Sequence, residues 1–394
     1  GILNSRTGVN NTNQFPVGEE ITRSLDPSNG SIQKLHAENT NLTILQENKV
    51  SKALIDKDAI YSAEGKSITT SGAQVIGQIV PYAGEYGISK DPGSFAVYGY
   101  RKYFTDKNRN AVLRLSSDGI TEISAYGMKD FFRDKFDEID LNSFNLGKII
   151  GGFDVHTKTY VVSLQNNNNV DYDTLAFDES VKGWVSRYSY KPDQIFSLKN
   201  NYFTTFSGGA ENFNGLYKHY FGSEYGKFYG VNVDSSVTTV FNPKVSLSKN
   251  FLTIGYEGSN GWEMNDFRSD FTGVDNGINF DDVTFPVKSY DEGEFVINPA
   301  TGQPVRPADY QATFGTPYPP YNKMRAGFNR KENKYVSNLK NNSMPRPGEI
   351  VYAQSLSGVK GMFATVVFSI DSTTNITGKK ELFAVSSTYV ESSY

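Results

Sequence analysis

One phrase, repeated three times, constrains this chain more than any other feature. It reads GFDVHTKTYVV from Gly152, AFDESVKGWVS from Ala176 and GFNRKENKYVS from Gly327. In each copy Phe is followed by Asp or Asn, and an aromatic residue stands seven positions after the Phe, with Val next to it. A turn of four or five residues inside the phrase sets Phe153 opposite Tyr160, Phe177 opposite Trp184 and Phe328 opposite Tyr335 on adjacent antiparallel strands. Cross-strand aromatic pairs of this kind contribute roughly 0.2–1 kcal/mol each. The Asp or Asn is suited to cap the turn through an Asx-type hydrogen bond. His156 has no counterpart, because Ser180 and Lys331 take its place in the other copies. The phrase therefore reads as a hairpin template rather than an active-site signature.

Composition extends the β reading to the whole chain. Aromatics make up 14% of the 394 residues while apolar residues reach only 38%. That mix suits many half-buried strands and argues against both a large helical core and disorder. Short β-rich runs alternate with turn clusters: AVYGYRKYFTD and AVLRLSS around Lys107–Asn110, then ITEIS after Ser117-Asp118-Gly119. NYFTTF, GLYKHYF, VTTVFN and NFLTIGYEG follow, then EIVYAQ, MFATVVFSI and KELFAVSSTYV near the C-terminus. The expected fold is mainly β, built of antiparallel meanders and propeller-like blades, with one short amphipathic helix and long irregular arms. The helix is Gly127 to Asp140, where Phe132, Phe136 and Ile139 form a single apolar stripe. Four parts are expected: an extended arm (1–40), a propeller-like β domain (41–263), an irregular acidic excursion (264–322) and a C-terminal β segment that closes the sheet (323–394). The chain starts at Gly1 rather than Met, as a processed protein or a part of a longer polypeptide would.

Residues that carry chemistry are sparse. There is no Cys, so no disulfide and no thiolate metal site. The three histidines are His36, His156 in a hairpin turn and His219 in an alternating strand. None sits in a nucleophile motif, and their spacing implies no metal site. DNGINFDD, Asp275 to Asp282, lacks calcium-loop spacing and reads as an exposed acidic loop. The acids of the helix, Asp130, Asp134, Asp137, Glu138 and Asp140, read as a solvated face. Asp171 and Asp173 alternate along a strand edge and project to one side, as a glycosidase acid pair or as solvated polar residues. Trp184 and Trp262 read as core, with sugar stacking as the functional counterpart. Asn-x-Ser/Thr triplets such as Asn41-Leu42-Thr43 read as chance in an Asn-rich chain. No catalytic, cofactor-binding or metal-binding residue is assigned. The net charge of −4 carries no basic stripe, which argues against a dedicated nucleic-acid surface. No apolar run is long enough to span a bilayer.

The segment FAVYGYRKYFTDKNRNAVLRLSSDGITEISAYGMKDFFRD resembles part of tailed-phage virion proteins. So do TLAFDESVKGWVSRYSYKPDQIFSLKNNYFTTF, GLYKHY, SSVTTVFN, GYEGSNGW and KELFAVSSTYVESSY. The resemblance is to the muzzle or nozzle-type structural proteins of crAss-like and related marine and cyanobacterial phages. It covers most of the chain from about Asn41 onward; the 264–322 stretch and GGAENFNG after Phe206 match less well. The resemblance implies a β-rich, propeller-containing subunit of a homo-oligomeric ring at the virion tail or neck. Such a ring borders the DNA exit channel, contacts other tail proteins and touches exiting DNA only transiently. It implies no enzyme and no cofactor. The alternative from a different class is a carbohydrate-binding or glycan-degrading receptor-binding tail component, using Trp184, Trp262 and Asp171 or Asp173.

Overall fold

The structure is a computed structural model. It describes residues 23–38, 41–61, 67–139, 147–166, 171–207, 215–270, 273–275, 278–280, 284–298, 301, 303–315, 326–342, 358–370 and 378–392. The N-terminal half of the expected arm, the EIVYAQ strand and all but the last residue of the GGAENFNG insert lie outside the described residues. The chain divides into two compact units, Gly1–Phe221 and Gly222–Tyr394.

The first unit is a run of antiparallel meanders. One sheet holds β1 (Ile32–Glu38), β2 (Asn41–Gln46), β3 (Val50–Tyr61) and β4 (Ser67–Pro81) in chain order. A second holds β5 (Ala96–Tyr98), β6 (Arg101–Asp106), β7 (Ala111–Ser116) and β8 (Gly119–Glu122). A third holds β9 (Lys148–Asp154), β10 (Thr159–Gln165), β11 (Tyr172–Asp178) and β12 (Gly183–Tyr188). A fourth holds β13 (Gln194–Leu198), β14 (Asn201–Phe206) and β15 (Gly215–Lys218). AVYGYRKYFTD, a single run in sequence, is split into β5 and β6 at Gly99, whose φ of 58° makes a tight turn between them. The four-stranded meander is the unit of a propeller blade, and no closed circle of blades forms among the described residues.

The helix α1 (Lys129–Asp137) forms where the apolar spacing places it. Phe132, Phe136 and Ile139 are buried in one core cluster with Ile149, Phe153, Tyr160, Leu164 and Phe177 of the third sheet. Packing α1 on that sheet is what holds a nine-residue helix that would be marginal alone. Two consecutive glycines in β9 allow close approach from both sides. A Cβ on Gly151 would lie 2.6 Å from the Ser94 carbonyl carbon, and one on Gly152 would lie 2.6 Å from Ile195 Cβ.

The second unit opens with the two-residue pair β16 (Lys227–Phe228) and β17 (Val231–Asn232). Its core lies between two sheets with non-local pairing. In one, β18 (Ser235–Phe241) and β20 (Glu263–Ser269) flank β28 (Ala364–Ile370). In the other, β19 (Lys249–Gly258) pairs β26 (Lys334–Asn338) and β27 (Val359–Gly361) on successive stretches, and β29 (Leu382–Glu391) along its length. β25 (Asn329–Lys331) completes that sheet beside β26. Phe251, Ile254, Tyr256, Phe267, Val366 and Phe368 form the shared core.

The stretch 264–322 begins inside β20 and carries short elements that its Gly and Pro content hid. These are the pairs β21 (Gly273–Asp275) with β22 (Ile278–Phe280) and β23 (Val296–Ile297) with β24 (Pro304–Val305). A second helix, α2 (Pro307–Phe314), follows, so among the described residues the expectation of one helix is corrected to two. Pro307 at the first turn and Gly315 with φ 69° at the C-cap delimit α2. Tyr310 on it is deeply buried.

Two of the three repeated phrases fold as read. Phe153 pairs with Tyr160 and Phe177 with Trp184 across four-residue turns, closed by Lys158 (φ 59°) and Lys182 (φ 51°). Asp154 Oδ1 accepts the His156 amide at 2.8 Å, and Asp178 Oδ1 accepts the Ser180 amide at 2.7 Å. The third phrase is a correction. Lys331 pairs with Lys334 across a two-residue turn at Glu332 (φ 57°), so Tyr335 stands opposite Arg330 and not Phe328. Both rings are gathered instead by Tyr256, which stacks on Tyr335 at 4.7 Å and meets Phe328 edge-on at 5.1 Å.

Candidate functional site

The candidate catalytic and stacking residues go to structural tasks. Asp173 lies in β11, which is paired on both sides, so Asp171 and Asp173 do not share a strand edge. Asp173 is buried against Arg187 and has Lys135 of α1 at 3.6 Å, while Asp171 is exposed. The two cations hold the Asp173 carboxylate in ion pairs. Trp184 is wedged between Phe132 at 4.6 Å and Phe177 at 5.4 Å, and its Nε1 donates to the Ile123 carbonyl at 3.1 Å. Trp262, 5% exposed, donates from Nε1 to the Glu381 carbonyl at 3.2 Å. Trp262 is closed to a sugar by burial, and Trp184 is half-buried against two rings of the core.

The acids of α1 spread along its surface in ion pairs: Arg133 with Asp130 at 2.8 Å and with Asp134 at 2.9 Å, and Lys135 with Glu138 at 3.0 Å. Of DNGINFDD, Asp275 and Ile278 to Phe280 belong to the β21–β22 hairpin, and the remainder lies outside the described residues. Among the described residues no three His, Asp or Glu side chains come together in an arrangement that could hold a metal ion. No described helix is long and apolar enough to cross a membrane.

A polar cluster that the sequence did not reveal sits at the β9–β10 turn. Asp154 is 1% exposed, and its carboxylate caps the turn while Oδ2 accepts Thr157 Oγ1 at 2.8 Å. The same Oδ2 accepts the Tyr220 hydroxyl at 2.5 Å across 66 positions of chain. His156 stacks on Tyr220 at 4.1 Å. Nearby, the Tyr190 and Tyr202 hydroxyls share a hydrogen bond of 2.9 Å, and His219 Nε2 meets Thr204 Oγ1 at 2.7 Å. His219 follows β15 in a turn rather than lying in a strand.

Electrostatics fix the protonation of this cluster. Burial, and then the hydrogen bond to Asp154, push the Tyr220 phenol well above its ordinary range, so it remains a neutral donor. Burial raises Tyr190 in the same sense. Burial lowers His219 to about 4, partly opposed by the charge of Asp154, so its imidazole is neutral at neutral pH. His36 of β1 is lowered by burial as well, and it leans on Phe95 at 5.5 Å. A neutral imidazole, neutral phenols and a carboxylate filled by turn donors form a lock between β9, β10 and the turn after β15. Tyr220→Phe should cost about 1.5 kcal/mol, the lower bound for a hydrogen bond to a charged acceptor. Thermal or urea unfolding measures it, and an unchanged midpoint would show that the Tyr220–Asp154 bond adds nothing.

The second unit has a concavity of about 350 Å³ lined by Tyr290, Gly293, Glu294, Phe295, Gly327, Phe328 and Asn329. Its size is that of a small-ligand site, and among the described residues Glu294 is the single carboxylate on its wall. Glycoside hydrolysis needs two.

More of the apolar surface is spent on strands. Val237 and Val240 of β18 and Phe383 and Val390 of β29 are exposed. This arrangement is suited to holding protein against protein.

Residues 223–342 match the family model described as the Crassvirus muzzle protein C-terminal domain. The match begins where the second compact unit begins. No curated protein matches the chain.

Proposed function

We propose, from the premise that this chain is a muzzle-type phage tail protein and a component of the virion tail, that it acts by assembly and not by catalysis. Copies of the chain form a ring at the tail or neck, around the channel through which DNA leaves. The observation that carries this reading is the family match over residues 223–342. Three features support it. The net charge of −4 keeps phosphate affinity low, so DNA is not retained by basic contacts on its way out. Neutral His219 and Tyr220 of the first unit serve as fixed hydrogen-bonding partners of Thr204 and Asp154, which favours rigidity over proton transfer. The second unit presents uncharged strand edges suited to contact with other subunits. The four-part division, with boundaries at 40, 263 and 322, and the propeller arrangement are retained as part of this proposal. The glycan-binding alternative loses its stacking platforms in Trp184 and Trp262.

Electron microscopy of the purified chain and of the intact particle tests the proposal. Closed rings of copies, placed on the tail axis around the channel, are the expected result. A chain that stays monomeric at all concentrations and occupies scattered peripheral positions on the tail would overturn it. So would release of host glycan by the purified chain.

A further inference from the structure

Two of the outer strands that the second unit presents among the described residues, β18 and β29, share unusual chemistry. β18 is outermost in its sheet and pairs only β28; β29 pairs only β19. Among the described residues neither has a partner on its outer side. Ser235–Phe241 contains no Asp, Glu, Lys, Arg, Pro or Gly, and in β29 the one such residue is its last, Glu391. Exposed edges are normally blunted by charge or proline, because a row of unpaired N–H and C=O groups recruits other strands. The outer strands β1 and β12 follow that rule, with Lys34 and Glu38 in β1 and Arg187 in β12. β18 and β29 break it while exposing Val240 (60%), Phe383 (73%) and Val390 (56%).

The two edges open on one flank. Lys244, just past β18, makes an ion pair with Glu391 at the end of β29, and the Ser392 amide donates to the Ser248 carbonyl at 2.8 Å. Phe241 of β18 and Leu382, Val385 and Tyr389 of β29 are half-buried on the margin of the same core cluster. A partner that covers this flank therefore caps the open side of that core as well as the strand edges.

We infer that this flank is where a second copy of the chain docks, by strand pairing at β18 and β29. The inference rests on the ring reading above and supplies its contact surface. DNA does not fit: neither strand carries a cation, and Lys244 is engaged by Glu391. A second copy does fit, because the chain carries a further uncharged outer strand in β13 (QIFSL), which among the described residues pairs β14 alone, rests on β9 through Ile195 and Ser197, and exposes Leu198 (59%). Each copy thus has both a flank to be covered and an edge able to cover one. A head-to-tail interface that repeats and closes has that requirement.

Hydrogen exchange on the assembled and dissociated full chain tests the inference, with mass photometry reporting assembly. Peptides covering 235–241 and 382–391 should exchange more slowly in the assembly. The double variant Val240→Lys with Phe383→Lys, at two exposed positions, should need about tenfold more protein to assemble. Its melting temperature as a dissociated chain should match wild type. Assembly with unchanged exchange at both strands, or a double variant that assembles like wild type, overturns the docking flank and leaves the ring standing. A wild-type chain that never assembles overturns both.

Discussion

Gly151→Ala is expected to destabilise the first unit by at least about 3 kcal/mol. Two costs combine. The new methyl group would enter the space of the Ser94 backbone, which cannot rotate away as a side chain can. It would also lie 2.8 Å from the Tyr160 hydroxyl oxygen, which donates to the Ser94 carbonyl at 2.7 Å inside the core. Relieving the clash separates that donor from its acceptor, and a buried unpaired hydroxyl costs about 1–3 kcal/mol by itself. Gly183→Ala in the same sheet is the control, because its nearest neighbour would be Val181 O at 3.8 Å. Chemical denaturation should separate the two variants clearly. Equal midpoints would mean that the seam between β9 and the Ser94 turn is not tight.

The second large effect is an acid sensitivity centred on His219. In the unfolded chain its imidazole takes a proton near pH 6.5, whereas in the fold burial holds it to about 4. The unfolded state therefore binds a proton first as pH falls. Stability contributed by neutral His219 is complete above about pH 6.5 and is lost progressively toward pH 4. The full span amounts to about 3 kcal/mol. His219→Gln keeps a polar partner for Thr204 and removes the titration. The expected result is a melting temperature that falls less steeply between pH 6.5 and 4 in the variant than in wild type. Identical slopes would show that His219 is accessible to protons in the fold.

Local patterns were legible in the sequence where one spacing implied one geometry. Phe132, Phe136 and Ile139 lie on one face of any helix, and they are the face that α1 buries. Phe153 with Tyr160, and Phe177 with Trp184, needed only a four-residue turn. The same seven-position spacing failed at Phe328 and Tyr335 because Glu332 accepts a positive φ and closes a shorter turn. Spacing alone does not choose between these turns, since Glu gives no turn signal. The Asp154–Tyr220 contact was invisible for another reason. It joins residues 66 positions apart, and no local period encodes such a meeting. Trp184 and Trp262 were legible as core residues, but the carbonyls that receive their indole hydrogens were not.

The placement of β28 has a consequence for how the protein is made. β18 and β20 leave the ribosome long before the strand that lies between them, and β19 likewise waits for β29. Until residues near 364–391 have been synthesised, the second unit has no central strand in one sheet and lacks a long flank in the other. Its folding therefore waits for that stretch and, with so many distant pairings, is slow. The first unit has no such delay, because within each of its sheets the strands pair in the order in which they are made. The nascent chain thus carries a finished half beside an unfinished one, and the uncharged strands of β18 must stay soluble through that interval. A host cell producing this protein faces its aggregation risk there, before any copy can meet another.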